Sequence, residues 1–215
     1  MPEPTAKSEP QETEQRIFQA ALTVFASKGR DGARMQEIAD RAGINRALLH
    51  YYFRTKQQLY QAVFAHLFQQ YVASFRESLQ LEGTFGEALK HFIGAYIDYV
   101  REHQDMARLM MNENLAGGSL LGEHLAKAFA TKGSPQQSME AAIKRAVESG
   151  EIRPVCPRQT MITIISSCLL FFLIAPTVKA MNPLAATDFD AFVEARKKHV
   201  FEVLYHGLAL KGAAS

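Results

Sequence analysis

Arg46, His50, Tyr51 and Lys56 are the residues whose types and spacing can do chemistry in this chain. An arginine presents a planar fork of N–H donors that fits guanine N7 and O6. A histidine and a tyrosine hydroxyl can donate to a phosphate or a base edge. A lysine beside a helix N-terminus makes a phosphate clamp. If Asn45 opens a helix, Arg46, Ala47, Leu48, His50 and Tyr51 fall on a face that needs no packing partner. Ala47 then lets the helix approach a groove wall closely, and Leu48, apolar yet outward, suits a thymine methyl. Arg34 and Gln36, at the opening of the preceding helix, belong to the same set. The chemistry implied is recognition of double-stranded DNA.

The stretch Arg34–Lys56, RMQEIADRAGINRALLHYYFRTK, supplies the elements that must position these groups. It reads as two short helices, Met35–Ala42 and one starting at Asn45, joined by Gly43. The glycine takes the positive φ that a side-chain-bearing residue resists. Asn45 caps the next helix by accepting from an orphan N–H. Ala39 is small where two steeply crossed helices approach, and Ile38, Ile44 and Leu49 are spaced to close a small core. Tyr52 and Phe53 read as packing residues. Thr55 caps the following helix, with Lys56 at its first position. A plain three-helix packing module shares the apolar spacing. The turn glycine, the cap, the exposed basic residue and the lysine clamp together favour DNA.

Charge distribution agrees. The whole chain of 215 residues carries a formal net charge of +2, but residues 13–56 hold eight Lys and Arg against four Asp and Glu, a net of +4. Residues 1–12 are net −2 and read as a disordered lead-in, with no apolar run of the signal-peptide kind. The two cysteines, Cys156 and Cys168, lack metal-ligand spacing, and a reducing cytoplasm fits them. An enzyme finds no H-x-x-x-H, C-x-x-C or G-x-S-x-G arrangement, and neither a metal nor a cofactor is expected. His199 and His206 share a helix face as two exposed histidines.

Nearly everything after residue 13 has helical period, so an all-α fold is predicted: a helix-turn-helix domain over 13–55 and a helical bundle over 56–215. The first helix runs from about Glu14 to Lys28, ending at a left-handed Gly29. A long helix extends from Lys56 to about Leu81, with Leu59, Val63, Leu67, Tyr71, Val72, Phe75 and Leu79 on one face. Further helices fall near 84–102, 105–111, 120–131 and 135–149. Between Arg158 and Lys179 no charge occurs. That run is long enough to span a bilayer, but Pro176, its serines and threonines, and the lack of an aromatic belt favour a helix buried on both sides, and no membrane contact. A last helix, 187–210, carries Phe189, Phe192, Val193, Val200, Val203 and Leu204 on one stripe. Phe68, Phe92, Tyr96, Met110, Met139 and Phe171 can line an apolar cavity, with His103 or Asn114 as polar handles, although such stripes are more often core.

At the level of motif the chain resembles the TetR family of bacterial transcriptional regulators. The resemblance rests on Ile38-Ala39, Ala42-Gly43-Ile44-Asn45, Tyr51-Tyr52-Phe53 and Lys56, and covers residues 13–64. The family usually opens its second helix with serine or threonine, where this chain has Ala33-Arg34-Met35, so the cap is weakened and Arg34 replaces the hydroxyl's phosphate contact by charge. A common glycine at 47 is alanine, and the common threonine and tyrosine at 48 and 50 are leucine and histidine, so the operator should differ from those of relatives. The resemblance implies a homodimer paired through about 158–180 and 187–210, two recognition helices on a palindromic site, and a small-molecule effector that moves the helix starting at Lys56; the candidate cavity residues favour an apolar or amphipathic one. It implies a ligand-responsive repressor. A helical dimer that binds DNA or a protein without any effector is the alternative.

Overall fold

A computed structural model describes residues 8–76, 83–130 and 134–210. The described residues form twelve helices: α1 (Ser8–Gly32), α2 (Met35–Ala42), α3 (Arg46–Tyr52), α4 (Lys56–Arg76), α5 (Phe85–Glu102), α6 (Gln104–Leu115), α7 (Ser119–Ala130), α8 (Pro135–Glu148), α9 (Pro157–Leu173), α10 (Ala175–Met181), α11 (Pro183–Thr187) and α12 (Phe189–Leu208). The all-α expectation holds. One isolated antiparallel bridge, Ile152 to Ala209, fastens the end of α12 to the loop after α8.

The chain divides into two compact units. The first comprises Met1–Gln70 with Asp105–Leu125, and the second Tyr71–Gln104 with Ala126–Ser215. In the first, α1 packs on α2 and α2 on α3. Ile17, Ala21, Val24 and Phe25 of α1 are buried, with Ile38, Ala39 and Leu49 from the two short helices and Leu59, Tyr60, Val63 and Phe64 from α4. The Phe25 and Tyr60 rings meet edge to face at 4.9 Å, the arrangement their quadrupoles favour.

In the second unit α5 contributes the densest buried face, including Leu89, Phe92, Ile93, Tyr96, Ile97 and Val100. Thr84 and Glu87 close a capping box at its start, and the two hydrogen bonds from Thr84 hold the Glu87 carboxyl below its usual range. Helix α5 packs on α8, α9 and α12. Lys197 on α12 bridges Asp98 on α5 at 2.7 Å and Glu194 at 2.7 Å. Partial burial opposes its charge, but those bonds outweigh the penalty and raise its pKa.

Several boundaries differ from the sequence expectation. Helix α1 begins by Ser8, so residues 8–12 are helical rather than disordered. Gly29 does break it with φ 67°, but its ψ of 175° is extended, not left-handed helical. Helix α6 reaches Leu115, beyond Met111, because Leu109 and Glu113 are still turned inward. The apolar 158–180 stretch is two helices bent by 77°, and no single described helix is long and apolar enough to cross a membrane. Pro176 sits in the first turn of α10, where its missing N–H costs nothing, so the chain turns at Ile174. The last helix starts after Asp188, whose carboxylate accepts from Ala191 N at 2.9 Å. Val203 lies on its outer side, 58% exposed, instead of on the packed stripe. Leu79 and the end of α4 lie outside the described residues, as does the side chain of Phe75.

Candidate nucleic-acid interface

Helices α2 and α3 meet through a turn whose geometry follows from three residues. Gly43 adopts φ 68° and ψ 33°, left-handed backbone that ends α2. The N–H of Ile44 returns to Ala39 O at 3.0 Å. Asn45 is extended, and its Oδ1 accepts from Leu48 N at 2.8 Å. Ile38, Ala39 and Leu49 are fully buried and hold the pair together. Ile44 is only half-buried, so it borders this small core rather than filling it, and Tyr52 and Phe53 are half-buried too.

Leu49 is the only residue of α3 that is buried. Arg46, Ala47, Leu48, His50 and Tyr51 are all exposed, as expected, with Leu48 at 37% and Tyr51 at 82%. Large apolar and aromatic groups of a small helix stay in water at a cost, unless another surface covers them. Tyr51 leans edge-on against Tyr52 at 5.8 Å.

Around α3 the remaining expected contacts are arranged at helix starts. Arg34 is the exposed N-cap of α2 and makes no side-chain cap bond, so the first-turn N–H groups there keep free valence. Gln36 Nε2 donates to Asp40 at 2.7 Å. With Lys28, both line a shallow groove of about 450 Å³. Thr55 accepts from Gln58 N at 3.1 Å and so caps α4. Lys56, the expected phosphate clamp, also holds the local fold. Its ammonium donates to Asp31 O at 2.9 Å and Ala33 O at 3.0 Å, tying the turn after α1 to the start of α4.

Behind this face lie polar anchors that sequence patterns did not reveal. Glu113 on α6 is 3% exposed. It accepts from Tyr60 OH at 3.0 Å and from Leu120 N at 3.1 Å. Burial, then the bond and charge of Glu113, push the Tyr60 phenol well up. Asn112 Nδ2 donates to Ala26 O at 3.0 Å. An Asn-Glu pair on a helix looks like a solvated face in sequence. Only its partners, 53 and 86 residues away, make it structural.

The eight candidate cavity residues divide between the two units. Phe68 is buried with its ring stacked at 5.2 Å on His124, Met110 is half-buried, and Asn114 is exposed beside the Gly117-Gly118 turn, so Asn114 is no interior polar handle. In the second unit Phe92, Tyr96, Met139 and Phe171 are buried. Phe92 stacks on Tyr96 at 5.9 Å, and the tilted rings of Phe171 and Phe172 lie 4.1 Å apart. His103 donates Nδ1–H to Tyr99 O at 2.8 Å and stacks on the Tyr99 ring, so that nitrogen finishes α5. Tyr71, expected only on the apolar face of α4, shares this interior with Tyr99 and Gln136, which the sequence did not single out. Gln136, following a serine cap and Pro135, looks like an ordinary first-turn residue. Burial raises the Tyr99 phenol to about 12 and the Cys168 thiol to about 12, so both stay protonated at neutral pH.

Residues 17–63 match the family described as bacterial regulatory proteins, tetR family. Residues 86–204 match the tetracyclin repressor-like C-terminal domain. The HTH-type transcriptional regulator RutR of Escherichia coli K12 is 29% identical over 198 residues, covering 89% of this chain and 88% of that protein. The HTH-type transcriptional repressor NicS of Pseudomonas putida is 31% identical over 110 residues, covering 49% of this chain and 50% of its own. Among solved structures, the transcriptional regulator FadR from Bacillus subtilis in complex with stearoyl-CoA superposes with a TM-score of 0.67 at 20% identity, covering 90% of this chain and 98% of that one.

Proposed function

The chain belongs to the TetR family of bacterial regulatory proteins, and on that premise we propose that it is a ligand-responsive repressor that binds a palindromic operator as a homodimer. The observation that carries the DNA half of this reading is α3 itself: a capped helix with one buried residue and Arg46, Ala47, Leu48, His50 and Tyr51 all open. Residues 13–55 read the operator. Arg46 addresses a guanine, Leu48 a thymine methyl, and His50 and Tyr51 a phosphate or base edge. Arg34, Gln36, Asn45, Thr55 and Lys56 face the backbone at the helix starts, where dipoles and N–H groups attract phosphate.

The homodimer forms through the segments 158–180 and 187–210. Ile162 and Leu170 on α9 and Val203 on α12 are each more than half exposed in the single chain, the apolar faces a second copy would cover. A twofold dimer sets its recognition helices roughly 34–36 Å apart, one turn of DNA. The bundle over 56–215 holds a small apolar or amphipathic effector that favours the released spacing, which requires unequal affinity for the two states. The cytoplasm is the compartment where operator DNA and effector meet.

Selection of bound sequences from random DNA, with and without a metabolite library, tests this reading. The expected product is a palindrome whose recovery falls when the effector is present. Recovery of unrelated sequences, or none, overturns it.

A further inference from the structure

Gln136 on α8 is 3% exposed. Its Nε2 donates to the Tyr71 hydroxyl at 2.7 Å, and its Oε1 is buried without a partner. An amide oxygen left unpaired in an interior loses its hydration for nothing, so such an atom needs an explanation. Two other buried polar side chains of this unit, Ser134 and Thr160, are spent on their own helix ends. Ser134 accepts from Gln137 N, and Thr160 donates to Cys156 O at 3.0 Å. Gln136 alone among them presents unused valence. Its surroundings are aromatic: the Tyr71 ring meets Tyr99 at 5.3 Å and Tyr96 at 6.4 Å, Phe92 stacks on Tyr96, and Met139 lies one helical turn on.

We propose that Gln136 Oε1 is the polar anchor of the effector site, and that the site takes an uncharged aromatic or heteroaromatic molecule whose ring-borne N–H or O–H donates to it. This rests on the effector response proposed above. An acceptor that can offer nothing in return selects a donor. Flat aromatic walls select a ring, which can stack or meet them edge-on. An ionised ligand would need a buried counter-charge, and among the described residues of this unit no charged side chain is buried. Arg196 Nε is a second buried atom without a partner, but its guanidinium lies over Phe171 and donates to Ser167 O.

Binding of matched probes to the full-length protein tests the assignment without reference to DNA: indole against indene, phenol against toluene, and benzoate, each by calorimetric titration. Indole and phenol should bind about tenfold more tightly than the partners that lack a donor, the worth of one buried hydrogen bond, and benzoate more weakly than phenol. Gln136→Met keeps the volume and should abolish the preference. Tyr71→Phe, which frees the amide to turn, should reduce it, and serves if the first variant misfolds. Equal binding within each pair, no binding of any probe, tighter binding of benzoate, or a preference that survives Gln136→Met overturns the proposal. A palindrome selected from random DNA with these probes failing would leave the regulator reading standing and this one fallen.

Discussion

At the scale of single residues, identity and environment divide the work on the exposed face of α3. Arg46 is the side chain there with a rigid fork of donors, and it sits at the start of α3, the end that would enter a groove first in the proposed complex. Arg46→Ala should therefore weaken specific binding by about 1–3 kcal/mol and relax preference at one base pair in each half-site. Competition between operator variants reads both effects; a variant with unchanged sequence preference would rule out base contact by Arg46. Lys56 behaves differently because its ammonium already holds two backbone carbonyls, Asp31 O and Ala33 O. Lys56→Ala should lower binding to all sequences, reduce the salt slope by about one unit per site, and also cost about 1–2 kcal/mol of stability. Urea unfolding alongside a salt titration separates the two. A drop in affinity with no change in stability would show that the carbonyl bonds contribute little.

Among elements, α2 and α3 are short, and their ends decide whether they form. Asn45 caps α3, whereas Arg34 sits at the N-cap of α2 in extended backbone, φ −114° and ψ 134°, with no side-chain bond. That backbone is already what a hydroxyl cap requires. Arg34→Ser should stabilise the protein by about 1 kcal/mol through the recovered cap bond while removing one phosphate charge. A higher unfolding midpoint with a shallower salt dependence of DNA binding is the expected pair of results; a lower midpoint would mean that Arg34 has a packing role. Most of this supersecondary unit was legible in sequence, since Gly43, Asn45, Thr55 and the Ile38, Ala39 and Leu49 spacing act within a few residues of one another. The break between α9 and α10, with its 77° bend, was not read although Pro176 lies in the run, because an uninterrupted apolar run looks like one helix.

For the whole molecule, the proposed homodimer would decide whether two recognition helices act together. Leu170→Glu with Val203→Glu places charge on the exposed apolar faces of α9 and α12 without touching the buried residues of either helix. The double variant should sediment as a monomer and bind its operator about a hundredfold more weakly, because linked half-sites lose their shared effective concentration. A dimer that persists with unaltered affinity would move the interface elsewhere.

What the sequence determined by itself is local. A glycine forced to positive φ, a cap beside an orphan N–H, and apolar residues three and four apart act through the backbone next to them, so the helix-turn-helix and its outward residues were readable before any fold. Tertiary structure alone decided which polar groups are buried and what they meet. Glu113 finds Tyr60 53 residues away, and Gln136 finds Tyr71 at a separation of 65, leaving one oxygen unanswered. Desolvation depends on every neighbour a group acquires when the chain closes, and no pattern of adjacent residues carries that information.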